Sequence, residues 1–337
     1  MNIPSQMTAV AIVQPGGPQA LQARSEPLPS TGPDDVLIRV AAAGVNGPDL
    51  AQRRGHYDPP PGASPLPGLE IAGEIAAVGK NVTAWRVGDR VMALTNGGGY
   101  AEYAAVPAGQ VLPTPDGWAV AEAAALPETW FTITQSLVMR AGLTSGMTVL
   151  AHGASGGIGG ATIQIATILG ARAIGVVSSP QKARYARTLG AIATIDYTSE
   201  DIAARALELT EGRGVDRIID VVGGPMAEVN LAACARGAHV VQVSTLDGAK
   251  ATLSLRTIMA KQLTLSGSTL RPQSSATKAE IAARIRRDLL PALEQPNIPK
   301  PAITCFPLAD AAAAHQLMES RAHLGKVVLT TQFGTQF

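Results

Sequence analysis

The sequence predicts an α/β protein in two parts: a doubly wound parallel sheet, and a β-rich, barrel-like domain into which that sheet is inserted. Three observations carry the prediction. Strand and helix patterns alternate from Thr148 onward, with glycines closing the helices. Before Pro127 the chain is rich in Gly and Pro and carries short apolar runs, the pattern of a sheet folded on itself. The 337 residues, 46% hydrophobic, are enough for about two cores.

In the first part, residues 36–42 and 68–78 read as strands, 85–91 as a turn entering a strand, and 100–106 as another strand. The alternation then runs strand 149–151, helix 158–169, strand 173–177, helix 180–189, strand 192–195, helix 201–209, strand 217–222, helix 226–235, strand 238–243 and a last strand 262–266. Gly170, Gly190 and Gly237 close three of the helices. The tail gives helices over 278–290 and 310–318 and a strand over 326–329, and is expected to return to the first domain. The expected domains are 1–126 with 271–337, and 127–270.

Composition excludes several function classes. A formal net charge of +1 supplies no field for nucleic acid or an anionic membrane. The one cationic run, Arg284, Arg286 and Arg287, reads as a solvated helix face. The opening residues lack a signal peptide's basic start and apolar core, and no apolar run reaches the roughly 18 residues of a membrane span. Cys234 and Cys305 form no CxxC pair and read as buried fillers, so a cytoplasmic location is expected.

The strongest local signal runs from Thr148 to Gly159. It follows a strand, opens a helix, and includes Ser155, Gly156, Gly157, Ile158 and Gly159. Gly156 and Gly159 keep two spacings of a GxGxxG fingerprint, with Ala154 at the first glycine. Small residues let a backbone approach a pyrophosphate, and the helix N-terminus adds free N–H donors. His152 is expected to pack beneath this loop. An NAD-specific site wants an acid at the end of the second strand, about 20 residues on. Here that strand ends in Ser178 and Ser179, with Lys182 one turn into the next helix and Arg184 and Arg187 beyond. Hydroxyls and an ammonium suit a 2′-phosphate, so NADPH is the expected cofactor. Ser179 also reads as the N-cap of its helix.

The stretches 45–64, Gly68-Leu69-Glu70, 85–91, 97–103, Gly267 to Arg271 and 325–329 resemble the zinc-free quinone oxidoreductases of the medium-chain dehydrogenase/reductase superfamily. The chain is similar in particular to the tumour-suppressor-induced subgroup and to zeta-crystallin, over almost its whole length. The resemblance implies a Rossmann domain inserted into a GroES-like catalytic domain, with a homodimer joined through Rossmann sheet edges. It also implies cofactor contacts at Ser155 to Ile158, at Ser178, Ser179, Lys182 and Tyr197, at Ser244, at Ser268, Thr269 and Leu270, and, more variably, at Arg321. Gly156 stands where the close subgroup carries an active-site serine.

In the zinc-dependent relatives a cysteine stands at the place of Asn46 and a histidine at that of Leu69. Neither Asn nor Leu is a useful zinc ligand, and no HxxH or HExxH spacing joins the five histidines, so no metal is expected. Without a Lewis acid, reduction of an already electrophilic quinone or enone is favoured over alcohol oxidation. Tyr57, in a Pro-rich loop, is the candidate to bond or stack on substrate. Asn46 is a candidate to orient substrate or nicotinamide, or to satisfy a turn, and Thr132 to line the nicotinamide pocket. Three readings follow: NADPH-dependent quinone reduction, enone or enoyl reduction with Tyr57 as proton donor, and an NADPH-binding protein of low turnover.

Overall fold

A computed structural model describes residues 3–295 and 298–336. Contacts divide the chain into two compact units. One comprises Met1–Phe131, Arg271–Glu294 and Pro301–Phe337; the other comprises Thr132–Leu270 and Gln295–Lys300.

The first unit begins with an antiparallel pair, β1 (Gln6–Ile12) and β2 (Leu21–Pro27). Then follow β3 (Asp35–Val45), α1 (Gly47–Arg53), β4 (Glu70–Val78), β5 (Arg90–Leu94), β6 (Tyr103–Pro107), β7 (Val111–Pro113) and α2 (Val120–Ala123). A helix α3 (Pro127–Ile133) runs directly into a π-helical segment, Thr134–Arg140.

The second unit alternates β8 (Thr148–Ala151), α4 (Gly157–Ile168), β9 (Arg172–Val177), α5 (Pro180–Thr188), β10 (Ala193–Asp196), α6 (Ile202–Leu209), β11 (Val215–Asp220), α7 (Met226–Ala233), β12 (Cys234–Gln242), α8 (Leu255–Lys261) and β13 (Thr264–Gly267). The chain then supplies α9 (Ser275–Asp288), α10 (Leu290–Leu293), β14 (Ile303–Pro307), α11 (Ala311–Ser320) and β15 (Lys326–Thr330).

The six strands of the second unit are all parallel, in the order β10-β9-β8-β11-β12-β13. That order reverses at β8, which makes the C-terminal ends of β8 and β11 the switch point where doubly wound sheets bind ligands. Side-chain oxygens cap the helices as their sequence suggests: Ser179 accepts from Lys182 N, Asp201 from Ala204 N and Ser254 from Thr257 N.

The larger sheet of the first unit has the order β14-β15-β3-β4-β5-β7. Register shifts bend β3 between Leu37 and Ile38 and between Val40 and Ala42. Its first half therefore pairs with β6 and its last with β15, on the side away from β4. The tail thus joins this sheet through β15. Its core packs Ile38, Val40, Ile71, Ile75, Val91 and Tyr100 against Val327 and Leu329.

Several boundaries differ from the sequence expectation. The helix expected to run to residue 235 stops at Ala233, because Cys234 is already extended. Gly237 lies within β12, not after a helix. The strand expected over 217–222 ends at Asp220, whose carboxylate accepts from the N–H groups of Val222 and Gly223 and turns the chain. Gln262 is left-handed and caps α8, so the last strand starts at Thr264. Cys234 is buried, but Cys305 is exposed, because it lies on β14 at the sheet edge.

Candidate active site

In the second unit, the turn after β8 is shaped by close backbone approach. Gly156 N–H bonds Gly153 O at 2.9 Å, and Ala154 N–H ties the turn to β9 through Val176 O at 3.1 Å. A Cβ on Gly159 would sit 2.3 Å from Gly153 O, so only glycine lets α4 start this close to the turn. Ala154, at the place of the first glycine, is fully buried. Gly175 makes room for it, since a Cβ there would lie 2.8 Å from the Ala154 methyl. The first N–H groups of α4, from Gly157, have no acceptor within the helix and present a partial positive charge. His152 lies beneath, with Nε2 2.7 Å from Asn230 Oδ1, and burial pushes its pKa down. Asn230 in turn donates to Asp220 Oδ2 at 2.9 Å.

Beyond β9, Lys182 Nζ donates to Ser178 Oγ at 3.0 Å, while Lys182 N–H donates to Ser179 Oγ at 3.3 Å. Both hydroxyls keep a proton to donate. Tyr197 N–H bonds Val177 O, which brings that half-exposed ring to the same strand end. Ser178, Ser179, Lys182 and Tyr197 therefore gather at one place, with no carboxylate at the end of β9.

Ser244 follows β12 and its carbonyl accepts from Gln242 Nε2. Ser268 N–H bonds Gln242 O, and Gln135 Nε2 reaches Thr269 O at 3.5 Å. Ser268 Oγ and Gln135 Oε1 are buried without a partner. Leu270 is buried, and Thr132, also buried, gives its carbonyl to Ser136 Oγ. The π-helical turn that carries Gln135 is a geometry frequent at functional sites.

In the first unit, Asn46 N-caps α1 and is buried. Its Nδ2 donates to Glu70 Oε1 at 2.8 Å and its Oδ1 accepts from Lys326 Nζ at 2.5 Å. Lys326 also pairs with Glu70, whose other oxygen takes the Glu128 N–H. Gly44 is obligatory here, since a Cβ would overlap Glu70 Oε1. The Asp49 carboxylate accepts from Asn46 N–H and Gly68 N–H, and burial raises its pKa to about 6. Behind it runs a chain with a fixed direction. Arg53 cannot accept a hydrogen bond, so its Nη1, 3.3 Å from His315 Nδ1, is the donor. That leaves the proton on Nε2, facing Tyr100 Oη at 3.0 Å, and Tyr100 faces Asp49. Sequence reasoning missed Asp49, Glu70 and Lys326 as a cluster.

Tyr57 is half-buried, and burial raises its pKa. The Arg271 guanidinium stands 5.3 Å from its ring centroid, within cation–π range. Arg321, left-handed at the end of α11, is exposed.

A family model for an alcohol dehydrogenase GroES-like domain matches residues 32–116, and one for a zinc-binding dehydrogenase matches residues 157–285. A quinone oxidoreductase of Pseudomonas aeruginosa is 36% identical, over 93% of this chain and 96% of its own. A human quinone oxidoreductase is 30% identical, over 96% of this chain and 97% of its own. The chain belongs to the quinone oxidoreductase family of the medium-chain dehydrogenase/reductase superfamily. A mycobacterial member of this fold, solved in complex with NADPH, superimposes with a TM-score of 0.83 at 32% identity, covering 96% of this chain and all 100% of that one.

As a member of this family the protein is an oxidoreductase that uses a nicotinamide cofactor. Its residues fit that group. The turn before α4 leaves a pyrophosphate room, and the orphaned Ser268 Oγ and Gln135 Oε1 offer bonds to a carboxamide. The residues do not fit a catalytic zinc. Asn46 Oδ1 is taken by the Lys326 ammonium, Leu69 is an apolar buried side chain, and the oxygens of Asp49 are held by two backbone N–H groups. Among the described residues no helix is long and apolar enough to cross a membrane.

Proposed function

We propose that this oxidoreductase reduces quinones with NADPH, and that it does so without a metal. The observation that carries the cofactor preference is the end of β9, where Ser178 and Lys182 Nζ are bonded at 3.0 Å and no acid follows. A carboxylate there would repel a 2′-phosphate; an ammonium and two hydroxyl donors hold one. The substrate class is supported by the relatives, named quinone oxidoreductases at 30–36% identity over nearly the whole chain, and by a polar cluster whose carboxylates, Asp49 and Glu70, are already taken by N–H groups and by Lys326.

When bound, the reduced nicotinamide supplies a hydride. Gly156 to Gly159 with Ser155 and the α4 N–H groups bind the pyrophosphate in this reading. Ser178, Ser179, Lys182 and Tyr197 bind the adenosine phosphate, and Ser244, Ser268, Thr269, Leu270 and Thr132 surround the nicotinamide; Arg321 is a weaker contact. Tyr57 borders the substrate. The Asn46 amide, fixed from both ends by Glu70 and Lys326, acts as a rigid wall and not as a mobile donor. In this reading the catalytic domain is 1–126 with 271–337 and the cofactor domain 127–270, whereas contacts group 127–131 with the first unit and 295–300 with the second, and the working form is a homodimer in the cytoplasm.

The test is steady-state NADPH and NADH oxidation against a panel of quinones, enones and enoyl thioesters. Quinones turned over at least tenfold faster than the other two classes, with NADPH preferred and chelators without effect, is the expected result. Faster enoyl or enone turnover moves the enzyme to double-bond reduction, and no turnover of any class leaves a cofactor-binding protein.

A further inference from the structure

Arg271 is 5% exposed, and its Nη1 is buried with no hydrogen-bond partner. The rest of the guanidinium is anchored. Nη2 donates to Asn96 O at 2.9 Å and Nε to the same oxygen at 3.3 Å. Beside it, Lys278 is fully buried and gives its ammonium to Asn96 Oδ1 and to the Arg271 carbonyl. Among the described residues neither cation makes an ion pair. Asp49, the carboxylate that Arg271 senses, already has its oxygens on Asn46 N–H and Gly68 N–H. Two buried positive charges without a paired anion are costly, and a buried N–H without an acceptor adds to that cost. Burial depresses both, Lys278 to about 8. Charged groups kept under this penalty are a mark of a site awaiting negative charge. The orphaned Nη1 belongs to the guanidinium that stands over the Tyr57 ring, 5.3 Å from its centroid.

We infer that Arg271 is a catalytic residue whose free Nη1–H holds the substrate oxygen that becomes negative during reduction. The inference rests on the quinone-reduction reading and adds to it the group that replaces a metal. Hydride addition to a quinone delivers two electrons and one proton, leaving a hydroquinone monoanion with its charge on one oxygen. Arg271 stays protonated and donates a charge-assisted bond to that oxygen. The second proton then comes from Tyr57 or water, and the neutral hydroquinone leaves. Arginine suits this role because it does not titrate.

The probe is 4-nitrophenol, whose phenolate mimics the monoanion and announces itself by colour. Bound to the parent protein without cofactor, it is expected to ionise at a pH at least about one unit lower than in water, a tenfold preference for the phenolate. Arg271→Met removes the shift, and Arg271→Lys restores part of it. On a neutral quinone, Arg271→Met lowers kcat about 100-fold with little change in KM. An unshifted phenol in the parent overturns the inference. So does a shift that survives in Arg271→Met, which would make Arg271 only an anchor for the loop at Asn96. If Arg271→Met does not fold, the comparison of parent with Arg271→Lys decides: equal shifts overturn the inference. Quinone turnover by the parent reports separately on the parent reading. Turnover without a phenolate shift removes Arg271 alone, and a shift without turnover removes the quinone.

Discussion

At the scale of single residues, two side chains make opposite demands on pH. His315 is held neutral inside the first unit, its pKa pushed down to about 3 by burial and the adjacent Arg53. The unfolded chain binds that proton near 6.5, so acidification from 6.5 towards 3 favours unfolding. Asp49 does the reverse: burial raises it to about 6 from 3.8, so the folded state takes its proton first and gains stability as pH falls through that window. The slopes oppose each other over about pH 4 to 6. His315→Gln keeps an acceptor for Arg53 and a donor for Tyr100 but removes one slope. Urea midpoints at pH 6.5 and 4.5 are expected to show the variant gaining stability relative to the parent on acidification; parallel changes would refute this. Lys182→Ala is the second prediction at this scale. It removes a charge-assisted bond of roughly 1.5–3 kcal/mol, so calorimetry is expected to show NADPH binding weakened by about ten- to a hundredfold and NADH binding nearly unchanged. The residues at the end of β9 were legible because they lie within a few positions of one another. Asp49, Tyr100 and His315 were not, because the chain separates Tyr100 from its histidine partner by 215 positions. Arg271 was visible only as part of a family-like string, since an orphaned donor has no sequence signature.

At the scale of elements, strand–helix alternation was legible because β8 and β9 are short apolar runs and α5, α6 and α8 carry side-chain caps. What failed were boundaries set by tertiary contacts. The end of α7 is decided by the pairing of Cys234 with Val215 on β11, and the end of β11 by the Asp220 carboxylate. The hairpin of β1 and β2 escaped because β2 is mostly exposed and polar, leaving little periodicity to read. The turn before α4 supplies a prediction about an element. Gly159→Ala places a methyl 2.3 Å from Gly153 O, against backbone that cannot yield without moving the whole turn. NADPH binding by fluorescence is expected to weaken at least tenfold, with the melting midpoint lowered as well. Unchanged affinity would mean that the turn does not approach the cofactor.

At the scale of the whole molecule, the two-part architecture was readable from the change of composition near Pro127, and β15 does bring the tail to β3. How copies of the chain associate is a separate matter, and the second unit gives grounds for a prediction. β13 ends the six-stranded sheet, so among the described residues one row of its backbone N–H and C=O groups has no strand beside it. Natural edge strands are normally shielded by charge, proline or a covering element. β13 reads Thr-Leu-Ser-Gly, with no charge, and Leu265 is exposed. The helix before it shows Leu255 and Met259 at 72% and 77% exposure, and Leu246 is exposed at 63%. Four large apolar side chains open to water within 246–265 are more than scattered surface residues require. A second copy meeting this edge across a two-fold axis would pair β13 with itself and cover all four in a self-complementary contact. The protein is therefore expected to sediment as a dimer at micromolar concentration. Leu265→Lys with Met259→Lys places like charges against each other across the axis and is expected to give a monomer. That monomer is expected to keep binding NADPH, since Ser178, Lys182 and the turn before α4 lie on other strands, with any loss confined to the contacts at Ser268 to Leu270 that follow β13. A parent that sediments as a monomer, or a double variant that remains dimeric, removes this edge as the interface.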